Sequence, residues 1–163
     1  MLKIFSRTGL VALCVCLLGL ALAAPASAAR KNPLLERQAK TMSDSAIKLI
    51  KAKGEAAFFE MNQKDGPWFK GGVGIFVSDE KGVELVNPAD PGLVGKNLWD
   101  YKDPDGKLVI QEQWKIVKAK GKGWLDCKWN KPGESQASRC RVYVRGVKTG
   151  GKNLMVGAFY YLP

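Results

Sequence analysis

Apolar residues recur at steps of three and four between Pro33 and Lys53, at Ala39, Met42, Ala46, Leu49 and Ile50. This spacing predicts one long amphipathic helix, interrupted at Gly54. A shorter helical stretch follows over Glu55–Asn62, with Ala57, Phe58 and Met61 on its face, and the turn residues Asp65-Gly66-Pro67 close it. The period then drops to two. Val73–Ser78 and Val83–Asn87 read as short strands joined by Asp79-Glu80-Lys81-Gly82, a loop of hairpin length. From Pro88 to Gly106 the chain is irregular, broken by Pro91, Gly92, Gly95 and Pro104, and loops of that length in a compact domain usually serve function. Helical spacing returns over Lys107–Lys120 through Ile110, Trp114 and Val117 and stops at Gly121. Three more strands are predicted at Trp124–Trp129, Arg139–Val147 and Asn153–Tyr161, separated by Pro132-Gly133 and Gly150-Gly151. Consecutive strands with short loops predict an antiparallel sheet with helices to one side, an α+β architecture.

The first residues follow another pattern. Lys3 and Arg7 precede an apolar run from Gly9 to Ala24, and Ala26-Ser27-Ala28 supply the small residues of a cleavage site. Residues 1–28 are thus expected to be a signal peptide, and residues 29–163 a single domain that is periplasmic or secreted. The apolar run is shorter than the ~20 residues that span a bilayer, and no later stretch is long enough to cross. Loss of Lys3 and Arg7 lowers the net charge from +11 to about +9, which attracts anionic partners. The basic residues are interspersed with apolar ones, so a solvated surface is expected rather than nucleic-acid binding.

Histidine is absent from the sequence, which removes the commonest general base, the commonest metal ligand and any Ser-His or Cys-His pair. An enzyme is not expected. Asp100, Asp103 and Asp105 alternate in the long loop as calcium ligands can, but Lys102 and Lys107 lie among them, and turn-forming aspartates are the better reading. Neither a metal nor a cofactor is expected. Cys14 and Cys16 fall within the signal segment; Cys127 and Cys140 sit in neighbouring strands, on the faces of Leu125 and Trp129 and of Val142 and Val144 respectively. If those strands form a hairpin, export favours a Cys127–Cys140 disulfide over two buried thiols.

Aromatic residues concentrate in the strands and the long loop, among them Phe76, Trp99, Tyr101, Tyr143 and Tyr160. Apolar walls with a few directed polar groups are how small polar ligands are held. From Ala46 to Tyr160 the chain resembles the single Cache domains of type 2, extracytoplasmic sensor modules of chemoreceptors and histidine kinases. The resemblance is carried by Ala56-Ala57-Phe58-Phe59 with Met61-Asn62, by Asn87-Pro88 followed by Leu93-Val94-Gly95-Lys96-Asn97-Leu98, by Lys102-Asp103-Pro104-Asp105-Gly106-Lys107, and by Gly157-Ala158-Phe159-Tyr160. It implies a PAS-like fold, with a long N-terminal helix packed on a five-stranded antiparallel sheet whose other face forms a pocket with the long loop. It also implies small carboxylates, amino acids or related metabolites as ligands. The chain departs from the family pattern at Gly74, Asn87, Cys127 and Cys140, all near that pocket. A small anionic molecule is expected to bind through Phe76, Asn87, Trp99, Lys102, Tyr143 and Tyr160, with output through a partner such as a membrane sensor kinase or chemoreceptor. The rival expectation is a basic interaction module that docks on a membrane protein, lipid or cell-wall polymer without a small ligand.

Overall fold

The computed structural model describes residues 31–63 and 65–163; the signal segment predicted over residues 1–28 lies outside the described residues. Helix α1 runs from Pro33 to Lys53. The Asn32 side chain caps it, accepting from Leu34 N at 3.1 Å and Leu35 N at 3.3 Å, and proline occupies the first helical turn. Gly54, at φ 59°, ends it. Its buried stripe is Ala39, Ser43, Ala46, Ile47 and Ile50; Met42 and Leu49 lie at the half-buried margin of the expected face. Helix α2, Ala56–Met61, buries Ala57 and Met61 beside it.

The strands are β1 (Phe69–Lys70), β2 (Val73–Asp79), β3 (Glu84–Val86), β4 (Lys122–Asn130), β5 (Ala137–Thr149) and β6 (Lys152–Tyr161). They form one antiparallel sheet in the order β1-β2-β6-β5-β4, with β3 also on β2. Because β6 occupies one edge of β2, the short strands β1 and β3 share the other, end to end. The five expected strands thereby become six, since two residues of β1 are too few to show alternation. Helix α3, Val109–Lys120, crosses the face of the sheet opposite α1 and stops at Gly121, at φ 72°.

Alternation along the strands divides the core into two layers. Ile75, Val77, Val156 and Tyr160 meet Ala46, Ile50 and Met61 on the α1 side. Phe76, Val142, Val144 and Met155 meet Val109, Ile110 and Trp114 on the other, where Leu98 and Trp99 of the long loop also pack. That loop is not free chain. Gly95 N donates to Glu84 O at 2.8 Å, Glu84 N to Lys96 O at 3.0 Å and Leu98 N to Gly82 O at 2.8 Å, so the loop is stitched along the β2–β3 hairpin.

Candidate ligand-binding cavity

The loop and α3 stand off the sheet and leave a cavity over it. Its floor is Phe76 of β2, Val142 of β5 and Phe159 of β6; Ile110 and Gln113 of α3 and Leu98 of the loop cover it, and Trp129, Pro132 and Tyr161 close one end. About 510 Å³ is free of protein atoms when the open solvent at the mouth is included, but the cavity proper is narrow, with a volume of only about 40 Å³. One water needs roughly 10–15 Å³ on that measure, so the cavity as it stands suits a ligand of few atoms.

Its polar groups are brought together by a bulge. Val77 pairs with Val86 but the next residue, Ser78, pairs with Glu84, which leaves Leu85 as an extra residue in β3. The bulge reverses the alternation, so Val86 faces the α1 core while Glu84, two residues earlier, faces the cavity. Glu84 is only 3 % exposed. Its Oε1 accepts from Asn87 Nδ2 at 3.0 Å, whereas Oε2 is buried without a hydrogen-bond partner. Burial pushes its pKa up to about 8, against the opposing Asn87 hydrogen bond and with help from the negative charge of Asp90. Asn87 is held on both sides: its backbone N donates to Asn62 Oδ1 at 3.0 Å, and its Oδ1 accepts from Asp90 N at 2.9 Å. The Gln113 amide, 2 % exposed, likewise leaves its Oε1 without a partner. Tyr161 donates to Asn130 O at 2.7 Å, and burial raises its hydroxyl pKa.

Of the residues named from sequence, the structure brings Phe76 and Asn87 together at the cavity. It separates the other four. Trp99 lines a shallow surface recess with Lys81 and Asn97 while packing against the second core. Lys102 is exposed, at an isolated bridge to Leu108. Tyr143 and Tyr160 lie on the α1 face: the Tyr143 ring sits 4.9 Å from that of Trp124, and Tyr160 is fully buried in the helix-side core. The reason is strand parity, since Tyr143 alternates with Val142 and Tyr160 with Phe159, and it is Val142 and Phe159 that reach the cavity. Arg141 shares the face of Tyr143 and joins Asp126 at 2.8 Å and Glu36 of α1 at 3.1 Å. Glu84 and Gln113 were missed because an isolated Glu or Gln defaults to a solvated residue; their sequence signal was position alone, one within the second strand of the hairpin and one a turn after Ile110.

Cys127 and Cys140 are directly opposite each other in β4 and β5, as the hairpin reading required. The expected disulfide is not present, however: both are buried free thiols with sulfurs 3.0 Å apart, well beyond the ~2.05 Å of an S–S bond. The hydrogen bond to Cys127 and burial both raise the pKa of the Cys140 thiol. Asp103 anchors the loop. Its Oδ1 accepts from Asp105 N at 3.0 Å and Lys107 N at 2.9 Å, and its Oδ2 from Lys128 N of β4 at 3.1 Å, which is the turn-forming role expected for it.

A twisted antiparallel sheet with a helix on one face and a loop-covered cavity on the other is the architecture of PAS-like ligand-binding domains. The profile of the single Cache domain 2 family matches residues 31–161, and the chain belongs to that family of sensor domains. Over 77 residues it is 27% identical to the methyl-accepting chemotaxis protein McpP of Pseudomonas putida; that match covers 47% of this chain and 14% of the receptor's length. Among solved structures, a periplasmic sensor domain of a chemotaxis protein is similar with a TM-score of 0.65 and 27% identity, over 80% of this chain and 99% of that one. A Cache chemosensory domain whose structure explains carboxylic acid recognition is similar with a TM-score of 0.63 and 25% identity, over 78% of this chain and 90% of the other.

Proposed function

We propose that this chain is an exported receptor domain that binds one small organic molecule in the cavity between sheet and loop and passes the signal to a membrane-bound chemoreceptor or sensor kinase. The observation that carries this reading is the cavity itself: apolar and aromatic walls around the buried, under-bonded carboxyl of Glu84 and amide of Gln113. The sensory relatives support the same assignment, and the small-residue stretch Ala26-Ser27-Ala28 after an apolar run supports export. Thermal unfolding against a panel of small acids, amines, amino acids and neutral alcohols tests it, because a ligand specific to the folded state adds about 2.7 kcal/mol at a hundredfold excess over its Kd. A panel in which nothing raises the Tm would sink the reading.

The narrowness of the cavity favours a second reading, in which the basic surface docks on an anionic membrane or polymer. Association that disappears at high salt, with no stabilisation by any small molecule, would mark that case.

A further inference from the structure

The charge inside the cavity opposes the charge of the chain. The sequence carries 26 Lys and Arg against 15 Asp and Glu, yet among the described residues the acidic and basic side chains lining the cavity are the carboxyls of Glu84 and Asp90 alone, with Glu84 ionising only near pH 8. No lysine or arginine lines it among the described residues. A carboxylate ligand would add a further negative charge with no cation to meet it. The unmet hydrogen bonds point the same way: Gln113 Oε1 is a buried acceptor without a partner, and the equally unpartnered Glu84 Oε2 becomes a second one once its carboxyl gives up its proton. Buried acceptors are costly to leave bare, so the complementary ligand brings N–H donors. Around them stand the rings of Phe76, Trp129, Phe159 and Tyr161, whose faces attract cations, while Ile110 and Val142 offer apolar surface for a short alkyl chain.

Resting on the receptor reading above, we infer that the ligand is a small primary alkylammonium ion, its N–H groups donating to the Glu84 carboxylate and the Gln113 amide oxygen. A quaternary ammonium has no N–H and would leave both acceptors unmet. A neutral alcohol brings no charge to displace the Glu84 proton, so it would bind without proton release and without the rise in affinity with pH that a cation shows. The narrow free space restricts the ligand to a few heavy atoms.

This predicts a characteristic pH dependence. The other titratable groups that line the cavity are Asp90 of the loop, the Cys140 thiol of β5 and the Tyr161 phenol of β6; α3 contributes the neutral Gln113, and β4 contributes Trp129 and Asn130. Glu84 holds its proton up to about pH 8 in the free domain, so binding a cation at neutral pH expels that proton. Affinity for the ammonium ion therefore rises about tenfold per pH unit below 8 and then levels off, the ligand itself staying protonated to about pH 10. A carboxylate ligand would show the opposite trend.

The test is calorimetric titration of the purified chain with ethylammonium, n-propylammonium, tetramethylammonium, propionate and propanol, at several pH values and in two buffers of different ionisation enthalpy. The expected result is binding by the primary ammonium ions alone, release of close to one proton at pH 7, and at least a tenfold loss of affinity in Glu84→Gln. Proton release is read on the unaltered protein, so the inference stays testable even if that variant folds poorly. Preferential binding of propionate or propanol, or ammonium binding indifferent to pH and to Glu84→Gln, would overturn the inference while leaving the receptor reading intact. Failure of every compound here, and of the wider thermal panel, would overturn both.

Discussion

The ring of Phe76 on β2 covers Gly157, its partner on β6, so closely that a methyl group at Gly157 would lie 2.1 Å from the ring's Cζ. The glycine is what lets Phe76 lie flat as cavity floor. Gly157→Ala must therefore push the ring upward into the ligand space. Such overpacking is expected to cost about 1–3 kcal/mol in chemical unfolding and to lower ligand affinity more than stability alone explains. Ligand affinity unchanged in a destabilised variant would show that the ring moves elsewhere.

The buried carboxyl of Glu84 makes stability fall with pH. Its folded pKa, about 8, lies above the ordinary value of 4.5, so the folded state holds the proton more tightly than the unfolded chain does. Below pH 4.5 both states are protonated and there is no penalty; the penalty grows from there and is complete above about pH 8. On the order of 4–5 kcal/mol is expected across that window, and Glu84→Gln should flatten the dependence. Denaturant midpoints measured from pH 5 to 9 decide it.

The legibility of the molecule divides along this same residue. Regular alternation back from Val86 would have sent Glu84 into the α1 core, where a carboxylate has no place, so sequence alone could only leave it on the surface. The bulge at Leu85, visible only once β3 has paired with β2, turns it the other way. Helix α1, by contrast, was legible to its last residue, because its apolar spacing and the Gly54 stop are local signals that need no tertiary partner.

Asp103 is the acid-sensitive clasp of the long loop. Burial works to raise its pKa, but backbone N–H bonds from Lys107, Lys128 and Asp105, with the charge of Lys107, outweigh it and hold the carboxyl below its usual range. A depressed folded pKa gives stability that is present above the unfolded value and lost as pH falls through the folded one. Asp103→Ala is expected to cost about 1–3 kcal/mol at neutral pH and to weaken this acid limb. Hydrogen exchange should rise at Asp105, Lys107 and Lys128, whose amides lose their acceptor.

Cys127 and Cys140 are placed for oxidation. With the two 13 positions apart in sequence, a disulfide is expected to add about 3 kcal/mol of stability in the chain-entropy model. The raised thiol pKa of Cys140 keeps the reactive thiolate scarce, so bond formation should be slow in air and fast with a disulfide-exchange catalyst. Thiol titration before and after treatment, paired with unfolding curves, measures both. Because Cys140 also lines the cavity, the same samples show whether oxidation alters ligand affinity.

By itself the sequence determined the order of helices and strands, the antiparallel α+β class, the family resemblance and the placing of the two cysteines in neighbouring strands, though not the bond between them, since each depends on local period, turn chemistry or spacing. It also singled out Phe76 and Asn87, which the structure brings to the cavity. Tertiary structure alone decided which face each aromatic residue serves: Tyr160 went to the helix-side core, Tyr143 to the same face beside Trp124, and Trp129, Phe159 and Tyr161 to the cavity. Alternation separates the two faces of a strand but cannot say which face the long helix will cover. It alone decided the polarity of the cavity as well, because a bulge and the docking of α3 turned Glu84 and Gln113 inward, while the lysines and arginines that dominate the composition stayed outside it.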